Sequence, residues 1–198
     1  MSKMVHRDKL LAKVKYNEFM KLIIKTILIF ILTTTFSYSA CNFKANLGIK
    51  RSDFEKKNFA GAPMPLDYPG LNFYGILAED VCPDQNLKDI AIEYKFLNEE
   101  LVAINLIALN DYTNSVSEKL TLMNYVKKNY GQFDTTQNPK SYTGYEVIEK
   151  ANQFVVYQRI PNNEGVIDEQ IYISTSKLDN KLMKYMQNME MQTIKDSE

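Results

Sequence analysis

The residues of this chain with chemistry to offer are two cysteines, three adjacent pairs of carboxylates and many tyrosines. The one histidine, His6, stands ahead of an apolar run. Beyond it, Ser-His-Asp and Cys-His catalysis and histidine metal sites have no residue to use. Cys41 and Cys82 are too few for a zinc site built on thiolates. No dinucleotide fingerprint, phosphate loop, nucleophile elbow or EF-hand spacing occurs. The sequence calls for no cofactor and no metal.

Acid–base chemistry on glycosides and Ser–Lys nucleophiles survive that exclusion. The carboxylate candidates are Glu79/Asp80, Glu99/Glu100 and Asp168/Glu169. Neighbours in a strand point to opposite faces, which is poor geometry for a shared site. Each pair therefore reads as solvated surface charge. Glu79, Asp80 and Asp84 could offer oxygen ligands to calcium, but their spacing matches no calcium loop.

Thirteen Tyr and ten Phe, without Trp, ask for a second explanation. Most fall on expected strands or helix faces, where Tyr suits sheet and core packing. The functional reading is a tyrosine-rich binding face, since aromatic residues are enriched in interface cores. Its candidate residues are Tyr142, Tyr145, Tyr157 and Tyr172, with Tyr74 as the repeat partner of Tyr145.

Residues 20–40 read as a secretory signal. Lys21 and Lys25 form a positive start, residues 27–32 an apolar centre and residues 33–40 a small, polar exit. The centre is shorter than the roughly 20 apolar residues that span a bilayer. Met20 resembles a translation start, which makes residues 1–19 a long leader or an overrun. Ser37 and Ser39 suit cleavage before Ala40. Tyr38-Ser39-Ala40-Cys41 also resembles the lipobox of bacterial lipoproteins, which implies lipidation at Cys41; Tyr38 departs from that pattern, where Leu is favoured. Lipidation would strand Cys82, whereas a Cys41–Cys82 disulfide uses both thiols.

Residues 1–40 hold seven of the 24 Lys/Arg and two of the 24 Asp/Glu, leaving 17 basic and 22 acidic residues and a net charge of −5. Such a domain has no electrostatic reason to bind nucleic acid or an anionic membrane. Membrane attachment of the mature domain is expected only through a lipid on Cys41.

The elements that must position these residues alternate in type. Ser52-Asp-Phe-Glu55 and Ser115-Val-Ser-Glu118 have capping-box spacing, with helices expected to follow each. Leu122, Met123, Val126 and Tyr130 recur at helical spacing before Gly131. Strands are expected over residues 72–77, 90–96, 101–109, 145–149, 154–160 and 166–175. Ser176 is expected to cap a final helix over 177–190, with 191–198 a frayed tail.

The order predicts an α+β fold for residues 41–190: one or two antiparallel sheets with helices on one face. It also suggests a tandem α-β-β-β duplication, 50–110 and 115–176. Phe54, Phe59 and Tyr74 then align with Tyr125, Tyr130 and Tyr145. The functional expectation is an exported envelope protein, periplasmic or secreted, that binds another envelope protein without catalysis. A glycan hydrolase run by two carboxylates and a lipoprotein anchored at Cys41 are the alternatives.

Overall fold

The computed structural model describes residues 40–64, 68–135, 137–150 and 152–196, with side chains as far as Ile194. The leader and signal, apart from Ala40, lie outside the described residues. Residues 40–198 form one compact unit.

A six-stranded antiparallel sheet is its centre. In chain order the elements are α1 (Arg51–Glu55), β1 (Leu71–Leu77), α2 (Ala78–Val81), β2 (Ile90–Leu97), β3 (Glu100–Ala108), α3 (Thr121–Asn129), β4 (Gly144–Lys150), β5 (Gln153–Pro161), β6 (Ile167–Ser174) and α4 (Ser176–Asp196). The α+β class holds. The strands lie in the order β1-β2-β3-β6-β5-β4, so two three-stranded meanders meet between β3 and β6. That central seam pairs Ile104 with Ile173 and Ile107 with Gln170.

Alternation puts Ile92, Tyr94, Phe96, Tyr157, Ile171 and Ile173 on one face, all buried. Phe54 of α1 and Leu122, Met123 and Val126 of α3 complete that core. Phe54 sits within 4.9–5.2 Å, centroid to centroid, of the rings of Phe59, Tyr74, Tyr94 and Phe96. Leu71, Leu97 and Val102 turn to the opposite face, where Leu178 and Leu182 of α4 cover them. A shift of register between Lys95 and Phe96 lets Val102 join that second cluster. The expected single helical face thus describes α1 and α3 only. α4 takes the other side because Leu71, Leu97 and Val102 give it an apolar seat.

The capping expectations fail. α1 starts at Arg51, its N-cap Lys50 makes no side-chain cap bond, and Glu55 instead accepts from the Tyr74 hydroxyl. The Ser115 segment forms turns, and α3 begins only after Leu120, which adopts a left-handed φ of 56°. For α4 the cap is Thr175, whose Oγ1 accepts from the Leu178 amide at 3.2 Å. The helix then runs to Asp196, past the residue where the sequence reads as tail.

The duplication register also breaks. Tyr74 is 2% exposed and its aligned partner Tyr145 is 68% exposed. In a strand a shift of one residue exchanges the faces, and Ile148 is the β4 residue that packs on the core.

The amino-terminal segment is a strap over the large core. Phe43 and Ala45 are buried in it. Cys41 is disulfide-bonded to Cys82, with 5.6 Å between their Cα atoms. The Tyr94 hydroxyl donates to the Phe43 carbonyl at 2.7 Å, and the Cys41 amide donates to the Tyr125 hydroxyl at 3.2 Å.

Candidate functional site

The two halves of the sheet are dressed differently on the α4 face. The β1–β3 half carries α4, tied down by the Tyr185 hydroxyl to the Pro69 carbonyl at 2.6 Å and by Lys181 to Glu100 at 2.7 Å. On β4–β6, the buried residues Val155, Tyr157, Arg159, Glu169 and Ile171 point inward. Their neighbours Val156, Gln158, Gln170 and Tyr172 therefore face outward. Beside them on β4, Tyr145 and Val147 are 68% and 56% exposed.

Register turns these into two cross-strand rows. Val147 pairs with Val156 and Val156 with Tyr172; Tyr145 pairs with Gln158 and Gln158 with Gln170. Phe154 flanks the first row, its ring 6.0 Å from that of Tyr172. The row turns polar at β3, where Asn105 opposes Tyr172 and donates to Glu93 at 3.0 Å. The Tyr172 hydroxyl donates to Asp179 of α4 at 2.6 Å, which fixes the ring at the border of the covered half. Burial, then that carboxylate, push the Tyr172 hydroxyl well above the ordinary tyrosine range. The result is a short apolar row with a polar rim.

A buried polar network holds this platform from beneath. Arg159 and Glu169 are each 1% exposed. Arg159 Nη1 donates to the carbonyls of Lys140 and Tyr142 at 2.7 and 2.8 Å, and Nη2 to that of Ser117 at 3.3 Å. Glu169 accepts from the Tyr157 hydroxyl at 2.7 Å. Arg159 Nε and Glu169 Oε2 face one another at 3.9 Å. Burial raises the Glu169 carboxyl above the usual carboxylate range, opposed by the Tyr157 and Ser117 hydroxyls, the Arg159 charge and the Met123 amide. Asn110 adds bonds to the Ser117 hydroxyl at 2.8 Å and to the Ile167 carbonyl. The loops at 110–120 and 138–143 are thereby tied to β5 and β6.

Of the five candidate tyrosines, Tyr145 and Tyr172 lie on the open rows. Tyr74 and Tyr157 are core residues, 2% and 0% exposed. Tyr142 is half-buried on the inner face, stacked 6.4 Å from Tyr157, with its hydroxyl donating to Glu146 at 2.8 Å. Burial, then Glu146, push its hydroxyl to about 12. The five do not share one surface. Val147, Val156, Gln158 and Gln170 belong to the open rows and lie outside the tyrosine pattern. The alternation of Tyr145 and Val147 with Glu146 and Ile148 is the signal that marks them.

No carboxylate pair converges on a shared cleft site among the described residues. Asp168 is exposed while Glu169 is buried, which corrects the reading of that pair as surface charge. Glu99 pairs with Arg51, and Glu79 and Asp80 are exposed on α2. Among the described residues no group of three His, Cys, Asp or Glu side chains could hold a metal ion. No family model, curated protein or solved structure matches this chain.

Clefts also open on the surface, one of them of about 430 Å³ beside Val147, Phe154 and Ser176. One of about 460 Å³ lies between the strap (Ala40–Leu47) and Ile104, Tyr130 and Ile173. Another of about 390 Å³ is lined by Glu55, Asn58, Pro63 and Tyr74. Burial, then Glu55, push the Tyr74 hydroxyl at its wall to about 12. In that cleft the Tyr74 hydroxyl donates to the Glu55 carboxylate.

Proposed function

We propose that this chain is an exported, non-catalytic module that binds another protein of the cell envelope through the open half of its sheet. The observation that carries the reading is the row Val147–Val156–Tyr172, exposed at Val147 and half-buried at the other two, beside a half-sheet that α4 covers. Contiguous apolar surface with a polar rim is the usual form of a protein-binding patch. A disulfide suits an oxidising compartment, and among the described residues no helix is long and apolar enough to cross a membrane. Lipidation of Cys41 would need the sulfur that the disulfide uses.

The test is crosslinked capture from envelope extract with the tagged protein, wild type against Val156→Arg and Gln170→Arg. Both side chains point away from the core. Loss of one captured partner in both variants, with an unchanged melting curve, is the expected result. Capture that ignores both substitutions sinks the reading. Mass spectrometry of the mature amino terminus separates a disulfide-bonded from a lipidated Cys41.

A further inference from the structure

The two outer edges of the sheet are managed in opposite ways. β1 is capped: the Met64 amide donates to the Phe73 carbonyl at 2.8 Å in an isolated bridge. β4 pairs with β5 over all seven of its residues, and among the described residues nothing pairs with its other side. It has no proline, and its register with β5 is unbroken. Those are the devices that keep an edge from accepting another strand, together with charge. β4 does carry charge, in Glu146, Glu149 and Lys150.

We propose that β4 pairs antiparallel with β4 of a second copy, about a twofold axis at Val147. Full pairing along the strand selects this register over one centred on Ile148, and charge selects it over one centred on Glu146. Centred on Val147, all seven residues find partners: Gly144 opposes Lys150, Tyr145 opposes Glu149, Glu146 opposes Ile148 and Val147 opposes itself. No like charges stand directly opposite, and Glu146 lies diagonal both to Glu146 and to Lys150 of the second copy, so the lysine offsets the carboxylate pair. Centring on Glu146 sets that carboxylate against itself. Centring on Ile148 leaves Gly144 and Tyr145 without partners in the strand.

Backbone geometry agrees. Lys150 and Gln153 close a two-residue connection, where the closing pair is hydrogen-bonded. Ile148 and Glu146 then bond to β5, and Tyr145, Val147 and Glu149 send their N–H and C=O groups outward. The pairing uses the edge rather than the face. It joins the row Tyr172–Val156–Val147 to its copy, making one apolar strip across the axis.

The experiment is sedimentation of the protein purified from cells that express the full sequence, over about 1 to 100 μM. A dimer is expected. Val147→Glu and Val147→Lys are each expected to weaken it about tenfold or more, and mixing the two is expected to restore a heterodimer. Val147 is 56% exposed, so folding should survive, and circular dichroism checks that it does. Cross-linking gives a second reading, because both native cysteines are bonded to each other. Val147→Cys should link two chains on oxidation and Tyr145→Cys should not. A monomer throughout overturns the proposal. So does a dimer indifferent to position 147, or a mixture of the two charge variants that stays apart.

Discussion

The β1–β3 half of the sheet and the β4–β6 half have the same three-stranded meander and opposite chemistry. The first has an interior of packed rings around Phe54, an outer face under α4 and an edge closed by Met64. The second has Arg159 and Glu169 in its interior, an outer face left half-exposed and, among the described residues, an open edge. Apolar burial tolerates imperfect geometry. A buried charge does not, because it must be matched by groups fixed around it. The half that carries its stability in a polar network keeps its loops in fixed positions while leaving its surface free.

The largest break should come from truncating the two interiors. Arg159→Ala leaves Glu169 buried without its counter-charge and frees three backbone carbonyls, and a loss of about 3–5 kcal/mol is expected. Phe54→Ala should cost a similar amount, about 3–5 kcal/mol, through a cavity. The two differ in hydrogen exchange: Arg159→Ala should expose amides in β5, β6 and the 110–120 loop, Phe54→Ala those of β1 and β2. Identical exchange maps would mean that the halves are one cooperative unit.

Reduction of Cys41–Cys82 should lower stability by roughly 2–4 kcal/mol and the melting temperature by several degrees. It acts on the strap rather than on either half. Two freely alkylatable thiols in protein purified without reductant would remove the basis of that effect.

Acid should sharpen the contrast. Glu169 has a folded value raised above its unfolded one, so the folded state holds the proton more tightly. Its stabilising share is full below the ordinary carboxylate range and is lost as pH rises through the raised value. Glu169→Gln lacks this dependence. Urea titrations of both proteins between acid and neutral pH should therefore show the wild type losing ground to the variant as pH rises. A constant gap would mean that burial does not shift this carboxyl.

The smallest expected stability effect is at the half-exposed face. Gln158→Arg should change unfolding free energy by about 0.5 kcal/mol or less, as surface substitutions do. Leu182→Ala beneath α4 should cost about 2 kcal/mol or more. Equal costs at the two sites would show the open face to be less free than its exposure indicates.

Much of the fold was legible: six strands from alternation, the disulfide pair from the count of cysteines and a final helix over 177–190. Capping was not, because Ser52 and Glu55 satisfy the spacing while Tyr74, distant in sequence, claims the glutamate. The candidate face was half legible. Tyr145 and Tyr172 follow from a count of aromatics, but Tyr74 and Tyr157 bury the same side chain with its hydroxyl bonded inside. Which tyrosine faces out depends on the phase of each strand against the core, and local composition does not carry that phase. The Arg159–Glu169 pair escaped notice for a related reason: its partners lie in loops remote in the chain.

The strap also sets a chronology. Residues 41–45 leave the ribosome before any strand does, yet Phe43 has its place only when Tyr94 of β2 exists, and Cys41 only when Cys82 and Tyr125 do. The strap can take its seat only once those distant residues exist, and the disulfide then ties its end to Cys82. Without the disulfide, the strap is held by the burial of Phe43 and Ala45 and by the Tyr94 and Tyr125 hydroxyls.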